Sequence, residues 1–373
     1  MEINVKMKSS LQFNAFYLFF IISSIQLGVG MLGSPTYIFA EARQDSWISV
    51  IITSIFVIFV LFVMLLILKQ YENADILGIQ VDIFGKWFGK LLGFVYIVYF
   101  ASALLSVVIT YIEVVQIFLF PEISTFTMGL ILLILIIYTV LGGIRVIIGV
   151  CFIFFLFPHW LLLLLIEPLM DIDITHFQPV MQASLVELLQ GAKASAYTFS
   201  GFEILFMLYP FIQNKEKAKL PVILGSLWTS WIILLTTIIV IGFFSADQIS
   251  RREWSVLGLF KVQTFSFVER FDFVVVAEWM MVVTPNMVLL MWGVTHGMKR
   301  LFLVPQKITL YVASALLLVV CIFMDYHFQI QKVTNFISQA GFWLVFVYPF
   351  LLLPIVLLKK RWRHHKEGVS NGP

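Results

Sequence analysis

Gln26-Leu27-Gly28-Val29-Gly30-Met31-Leu32-Gly33-Ser34-Pro35 interrupts the first long apolar run of the chain, from Phe13 to about Ala40. In a helix interior a glycine costs about 1 kcal/mol and a proline about 3 kcal/mol relative to alanine. Three glycines and a proline in this stretch therefore predict a broken helix. Within lipid, irregular backbone is tolerated only where protein buries it or where it lines a watery cavity. Taken alone, the stretch has two readings. Either its freed N–H and C=O groups hold a ligand or ion, or its small residues let helices approach closely. A second, matching interruption favours the first.

The surrounding composition is that of a membrane protein. The 373 residues are 61% hydrophobic and 12% charged, with a mean hydropathy of +1.00, whereas soluble domains carry about 25% charged residues. Apolar runs fall at about 13–40, 47–68, 91–119, 127–142, 146–166, 188–212, 222–244, 272–297, 308–324 and 337–358. Many reach the roughly 20 residues a helix needs to cross the hydrocarbon, which predicts an all-α polytopic protein with ten transmembrane helices. No segment suits a separate soluble domain, so residues 1–373 form one integral membrane domain with a basic tail at 359–373. The first run is too long for a signal-peptide core and lacks a small-residue cleavage site, so it is expected to stay in the mature protein. Seventeen of the 24 Lys and Arg lie on the side of the termini if the N-terminus is cytoplasmic, which predicts both termini inside. Arg251 and Arg252 run against that trend. Cys151 and Cys321 lie in apolar runs and read as small core residues, with neither disulfide nor metal spacing.

The loop from Glu167 to Glu187 carries no Lys or Arg and splits the ten runs into five plus five, repeat one at about 11–166 and repeat two at about 188–358. An odd number of spans per half gives the halves opposite topology, the inverted-repeat plan of many secondary transporters. The sixth run contains Ser195-Ala196-Tyr197-Thr198-Phe199-Ser200-Gly201-Phe202-Glu203, with Gly201 about as deep in its run as Gly28 is in the first. Paired interruptions point to a midplane site between the repeats.

Three carboxylates fall within runs, Glu113, Glu203 and Glu278, and each costs about 2.5–3.5 kcal/mol at the bilayer centre on insertion scales. Glu203 follows the second break and is a candidate for capping freed N–H groups, for binding a substrate amine, for carrying a proton, or for tying the helix to a neighbour. Glu113 ends a stripe of Tyr99, Ser102, Ser106, Thr110 and Glu113, whose spacing places it on one helical face toward the bundle interior. In that stripe Tyr99 is a pocket candidate, Ser102 and Ser106 read as interhelical hydrogen-bonding residues, and Glu113 joins Glu203 as a candidate for gating or proton linkage. Glu278 lies close enough to the end of its run to reach the interface. Thr284-Pro285-Asn286 sets an amide beside a proline kink, which makes Asn286 a site candidate because a kink frees a carbonyl. Gly85, Gly89 and Gly93 are spaced for close helix packing. Asp171, Asp173 and His176 fit a solvated loop better than a metal site. No P-loop, Gly-x-Ser-x-Gly or His-Glu-x-x-His motif occurs, so neither enzymatic activity, cofactor nor nucleic-acid partner is expected.

Leu27-Gly28-x-Gly30 with Pro35 resembles the amino acid–polyamine–organocation permeases. Phe199-x-Gly201-x-Glu203, Glu113-Val114-Val115, Glu269-Arg270-Phe271, Gly297-Met298-Lys299-Arg300 and the basic C-terminus narrow the resemblance to the spore germination permeases. These are the B-type membrane subunits of nutrient germinant receptors, and the likeness runs from about Leu11 to Arg363. It implies a LeuT-like fold whose broken first and sixth helices, with parts of the third, eighth and tenth, surround a small-molecule pocket. It carries over Gly28, Gly30, Gly201 and Glu203 as backbone and site residues, and places Tyr99, Ser200 and Asn286 in the pocket lining. Asn286 and Ser200 depart from a sibling that has a hydroxyl and an aliphatic residue there. The resemblance further implies a nutrient ligand, an A-type membrane subunit and a C-type lipoprotein as partners, and the inner membrane of the spore. The alternative is an H⁺- or Na⁺-coupled secondary transporter of amino acids or related solutes; a third class is an assembly scaffold with a vestigial pocket.

Overall fold

The computed structural model describes residues 2–261, 271–324 and 326–370, with side chains as far as Trp362. A single apolar segment in lipid satisfies its own backbone only as a helix, and the described residues contain helices and no strands. The first run holds α1 (Leu18–Gln26) and α2 (Ser34–Ala42), separated by a 3-10 turn at Val29–Leu32. Then come α3 (Ser46–Lys69), α4 (Ile76–Phe84), α5 (Lys86–Phe118), α6 (Thr125–Leu141), α7 (Ile144–Leu156) and α8 (Ile166–Met170). A 3-10 stretch at Phe157–Leu165 joins the last two. The second half opens with α9 (Leu185–Ala196) and α10 (Leu205–Leu208), then α11 (Lys219–Phe243), α12 (Ala246–Ser250) and α13 (Ser255–Lys261). It closes with α14 (Phe271–Phe302), α15 (Gln306–Ile322), α16 (His327–Gly341), a π-helical stretch at Phe342–Val347, and α17 (Tyr348–Ser370).

Six helical segments among the described residues are long and apolar enough to cross a membrane: Ser34–Lys69, Lys86–Phe118, Ile144–Met170, Lys215–Phe243, Phe271–Phe302 and His327–Trp362. Four shorter apolar helices accompany them, at Ala15–Gln26, Thr125–Leu141, Phe202–Phe211 and Gln306–Ile322. At the centre α5 packs along α14, and α16 and α7 flank that pair, α16 against α5 and α7 against α14. α1 packs on α11, α9 on α2 and α3, and α6 on α15. Cys151 and Cys321 are buried and unbonded to each other, as small core residues.

Three connections depart from the sequence reading. The segment 69–90 is not a plain loop: it folds as α4, capped where Asp75 accepts the Gly78 N–H at 2.7 Å and packed on α5 through buried Ile76, Leu77 and Ile79. Gly85 is not a packing glycine. Its φ of +83° turns the chain between α4 and α5, with nothing near the position a Cβ would take. Gly89 and Gly93 do lie close against neighbours, Gly89 against the Gln80–Val81 backbone and Gly93 against Leu77 and Leu301. The last span begins with α16 at His327, ten residues before the apolar run, because a polar helical face lowers hydropathy without ending the helix. Glu269 and Arg270, and the side chains from Arg363 onward, His364 and His365 included, lie outside the described residues.

The end that carries both termini is fastened by a buried ion pair. Arg300 Nε donates to Asp75 Oδ2 at 2.7 Å, and its Nη2 donates to Asp75 Oδ1 and to the carbonyl of Glu2. The N-terminal segment is pinned alongside, with Val5 N–H on the Asn73 carbonyl and Phe13 N–H on that of Phe211.

Candidate functional site

The two interruptions meet. α1 stops at Gln26, and Leu27 and Gly28 are extended before the 3-10 turn and the proline-primed start of α2. At the end of α1 the carbonyls of Ser24 and Leu27 accept hydrogen bonds from Asn286 Nδ2 on α14, at 2.7 and 3.1 Å. The Gln26 amide donates across to the carbonyl of Phe199 in the second interruption, at 3.0 Å. There α9 ends at Ala196, Ser200 Oγ donates back to the Ala196 carbonyl, and Gly201 takes a left-handed φ of +107°. A Cβ on Gly201 would lie 2.8 Å from the carbonyl oxygen of Ile25, so conformation and space both require glycine. The Gly201 N–H donates to Glu203 Oε2 at 2.8 Å, so this break is capped by its own side chain.

Beside this junction lies a cavity of about 320 Å³, within the size range of small-molecule sites. All seven ligand-site residues expected from the sequence line it, as does Glu113. Asn286 thus has two faces: Nδ2 is committed to the α1 carbonyls, and Oδ1 lies against Gly28. Gln26 Oε1, Ser34 Oγ and Glu203 Oε1 are buried in the lining without a hydrogen bond among the described residues, though the Tyr99 hydroxyl interacts with the Glu203 carboxyl. Burying such atoms unpaired costs about 1–3 kcal/mol each. None of its lining residues is Lys or Arg.

The polar stripe of α5 faces this chamber, with Ser102 outside the lining. Ser106 Oγ bonds the Tyr197 hydroxyl at 2.6 Å and Thr334 Oγ1 at 3.1 Å, the interhelical role expected of it. Glu113 Oε1 meets His327 Nδ1 at 2.6 Å. The sequence reading overlooked the other wall. Gln331, Thr334, Asn335 and Ser338 of α16 line the cavity, as do Glu253 and Trp254 of the segment before α13. The spacing i, i+3, i+4, i+7 of those α16 residues is the same signal that exposed the α5 stripe. Glu253 carries no such signal, since it sits in a connection.

The remaining candidates stay apart from the cavity. Glu278 accepts the indole N–H of Trp160 at 2.6 Å at an exposed position. Asp173 accepts the N–H and hydroxyl of Thr175, which hold its carboxyl below the usual carboxylate range. His176 Nδ1 meets the Gly242 carbonyl. No group of three metal-ligating side chains occurs among the described residues.

Comparison with known proteins bears on this geometry. A family profile described as spore germination protein matches residues 12–333. The spore germination protein GerQB of Bacillus cereus is 32% identical over 347 residues, covering 93% of this chain and 95% of that protein. Spore germination protein A2 of Bacillus subtilis (strain 168) is 24% identical, covering 95% and 98%. Spore germination protein YndE of the same organism is 25% identical, covering 93% and 96%.

Proposed function

The chain belongs to the spore germination protein family, and from that premise we propose that it is the membrane subunit of a nutrient germinant receptor whose ligand occupies the cavity between the two broken helices. The observation that carries this reading is the junction itself: two interruptions stitched together beside a chamber lined by the polar side chains of Gln26, Ser34, Tyr99, Glu203 and Asn286. With acceptors in excess and no Lys or Arg in the lining, the chamber suits an uncharged or zwitterionic nutrient rich in hydrogen-bond donors. A carboxylate, where the nutrient has one, would sit at the freed span-one amides. Closure around the nutrient shifts the receptor between states, which needs only tighter binding to one of them. Partners of the A-type membrane and C-type lipoprotein classes, and the inner spore membrane with both termini cytoplasmic, complete this reading.

A LeuT-like arrangement of ten helices in two inverted repeats belongs to the same proposal, and the packing partners support it. Numbering the spans in chain order, the first packs on the seventh (α1 on α11), and the sixth on the second (α9 on α3). The fifth packs on the eighth (α7 on α14), and the tenth on the third (α16 on α5). Each pair turns into the other when the two halves are exchanged. The third with the eighth and the fourth with the ninth map onto themselves (α5 with α14, α6 with α15). Such exchange pairs are what a two-fold relation between repeats produces.

The relatives compared above are all named as germination proteins, so the coupled-transporter alternative gains nothing from them. The test uses spores lacking this gene, exposed to amino acids, sugars and nucleosides while release of core solutes is followed. Selective loss of the response to one nutrient class is expected. Restoring the gene with Glu203→Ala should leave protein level unchanged and the response absent, and Gly201→Leu should abolish the response as well; wild-type dose–response curves from both variants would refute the site.

A further inference from the structure

At the end opposite the termini, one side-chain cluster ties four elements across the cavity mouth. His327, the first residue of α16, places Nδ1 2.6 Å from Glu113 Oε1 on α5 and Nε2 3.4 Å from Glu253 Oε2 in the segment before α13. Glu253 Oε1 also accepts the Tyr37 hydroxyl from α2 at 3.0 Å and the Gln331 amide from α16 at 3.2 Å. The segment that bears Glu253 is seated on α2: Thr36 Oγ1 donates to the Arg252 carbonyl at 2.7 Å, and a Cβ on Gly33 would lie 2.8 Å from the Glu253 carbonyl. Tyr37, Glu113, Glu253 and Gln331 all line the cavity.

Glu113 is buried whereas the His327 side chain is half exposed, so the ring lies between the chamber and its surroundings. The ring also sits between two acids that would otherwise repel each other, hydrogen-bonded to Glu113 and at ion-pair distance from Glu253. The parts of this bridge come from both halves of the chain. α16 also has a place to bend, because the π-helical stretch at Phe342–Val347 begins right after it, and π-bulges are among the usual sites of helix kinks.

We infer that His327, by bridging Glu113 and Glu253, is the latch of this mouth, and that the ligand reaches the cavity when α16 and the Arg252–Trp254 segment part at that bridge. The inference rests on the cavity reading above but is tested without any nutrient. Ala103, which lines the cavity, is replaced by cysteine in the full chain, in membranes isolated from spores carrying the receptor. The native Cys151 and Cys321 are buried. Labelling by a membrane-impermeant maleimide should be about tenfold faster in His327→Ala than with His327 present, because removing the bridge shifts the mouth toward its open state. His327→Gln, which cannot reach both carboxylates, should act in the same direction. The buried native Cys151 and Cys321 should stay unlabelled in every background that lacks the Ala103→Cys change, which separates an opened mouth from an unfolded protein; if His327→Ala fails that control, His327→Gln decides. Unchanged or slower labelling of the Ala103→Cys position overturns the latch, and leaves the cavity reading to stand or fall on its own dose–response test.

Discussion

The two broken helices solve the same problem differently. The first, at Gly28–Pro35, has no cap of its own: its loose carbonyls at Ser24 and Leu27 are taken by Asn286, a residue about 260 positions away. The second, at Tyr197–Gly201, is closed mainly from within, with Glu203 capping Gly201 and Ser200 bonding back to Ala196, while Gln26 of the first break holds its Phe199 carbonyl. The first break therefore depends on where α14 stands, whereas the second depends mainly on its own local geometry and on its contact with the first. A chamber whose one wall is locally fixed and whose other wall is held by a remote helix can register a shift of that helix. This is the property a ligand-driven change of state needs.

Substitutions can break or sharpen the contrast. The largest effect is expected from Gly201→Leu, because a left-handed backbone costs a non-glycine residue about 1–2 kcal/mol and the new Cβ meets the Ile25 carbonyl. The nutrient response should vanish. Asn286→Leu should come next, as it leaves two carbonyls of the first break unpaired at about 1–3 kcal/mol each. Its signature is a lower unfolding temperature in detergent, a global effect of a remote prop. Glu203→Gln should be milder, since the amide oxygen still accepts the Gly201 N–H; the half-maximal nutrient concentration should rise while the unfolding temperature holds. Gly30→Ala should be smallest, because a Cβ there meets Thr198 and Tyr197 only at ordinary contact distance; protein level and unfolding temperature should match the wild type. If Asn286→Leu proved as mild as Gly30→Ala, the claim that the first break is held from outside would fail.

Much of this was legible in the sequence, for identifiable reasons. Glycine and proline weaken helices wherever they stand, so the breaks at Gly28–Pro35 and Gly201 announce themselves, and the family resemblance they support is met by a profile match over residues 12–333. Apolar length set the helical runs, and the regular spacing of Tyr99, Ser106, Thr110 and Glu113 correctly placed one wall of the cavity. The opposite wall was missed because a hydropathy scan averages Gln331, Thr334 and Asn335 into a loop, although they lie on a helix whose polar face is turned inward. The partners of Asn286 and His327 were not legible at all. Both are chosen by tertiary packing, Asn286 with the α1 carbonyls and His327 with Glu113 over more than 200 residues, and no local pattern encodes them.

The most direct test of the central claim fills the cavity without disturbing the breaks. Gly30→Leu places a side chain against Tyr197 and Thr198 with no contact tighter than van der Waals at its Cβ. In spores carrying this receptor alone, core-solute release is followed against the concentration of the nutrient that the wild type answers. The proposed site predicts normal protein level and a loss of response, or a rise of about tenfold in the half-maximal concentration, equivalent to about 1.4 kcal/mol of binding. A dose–response curve that superimposes on the wild type would contradict it.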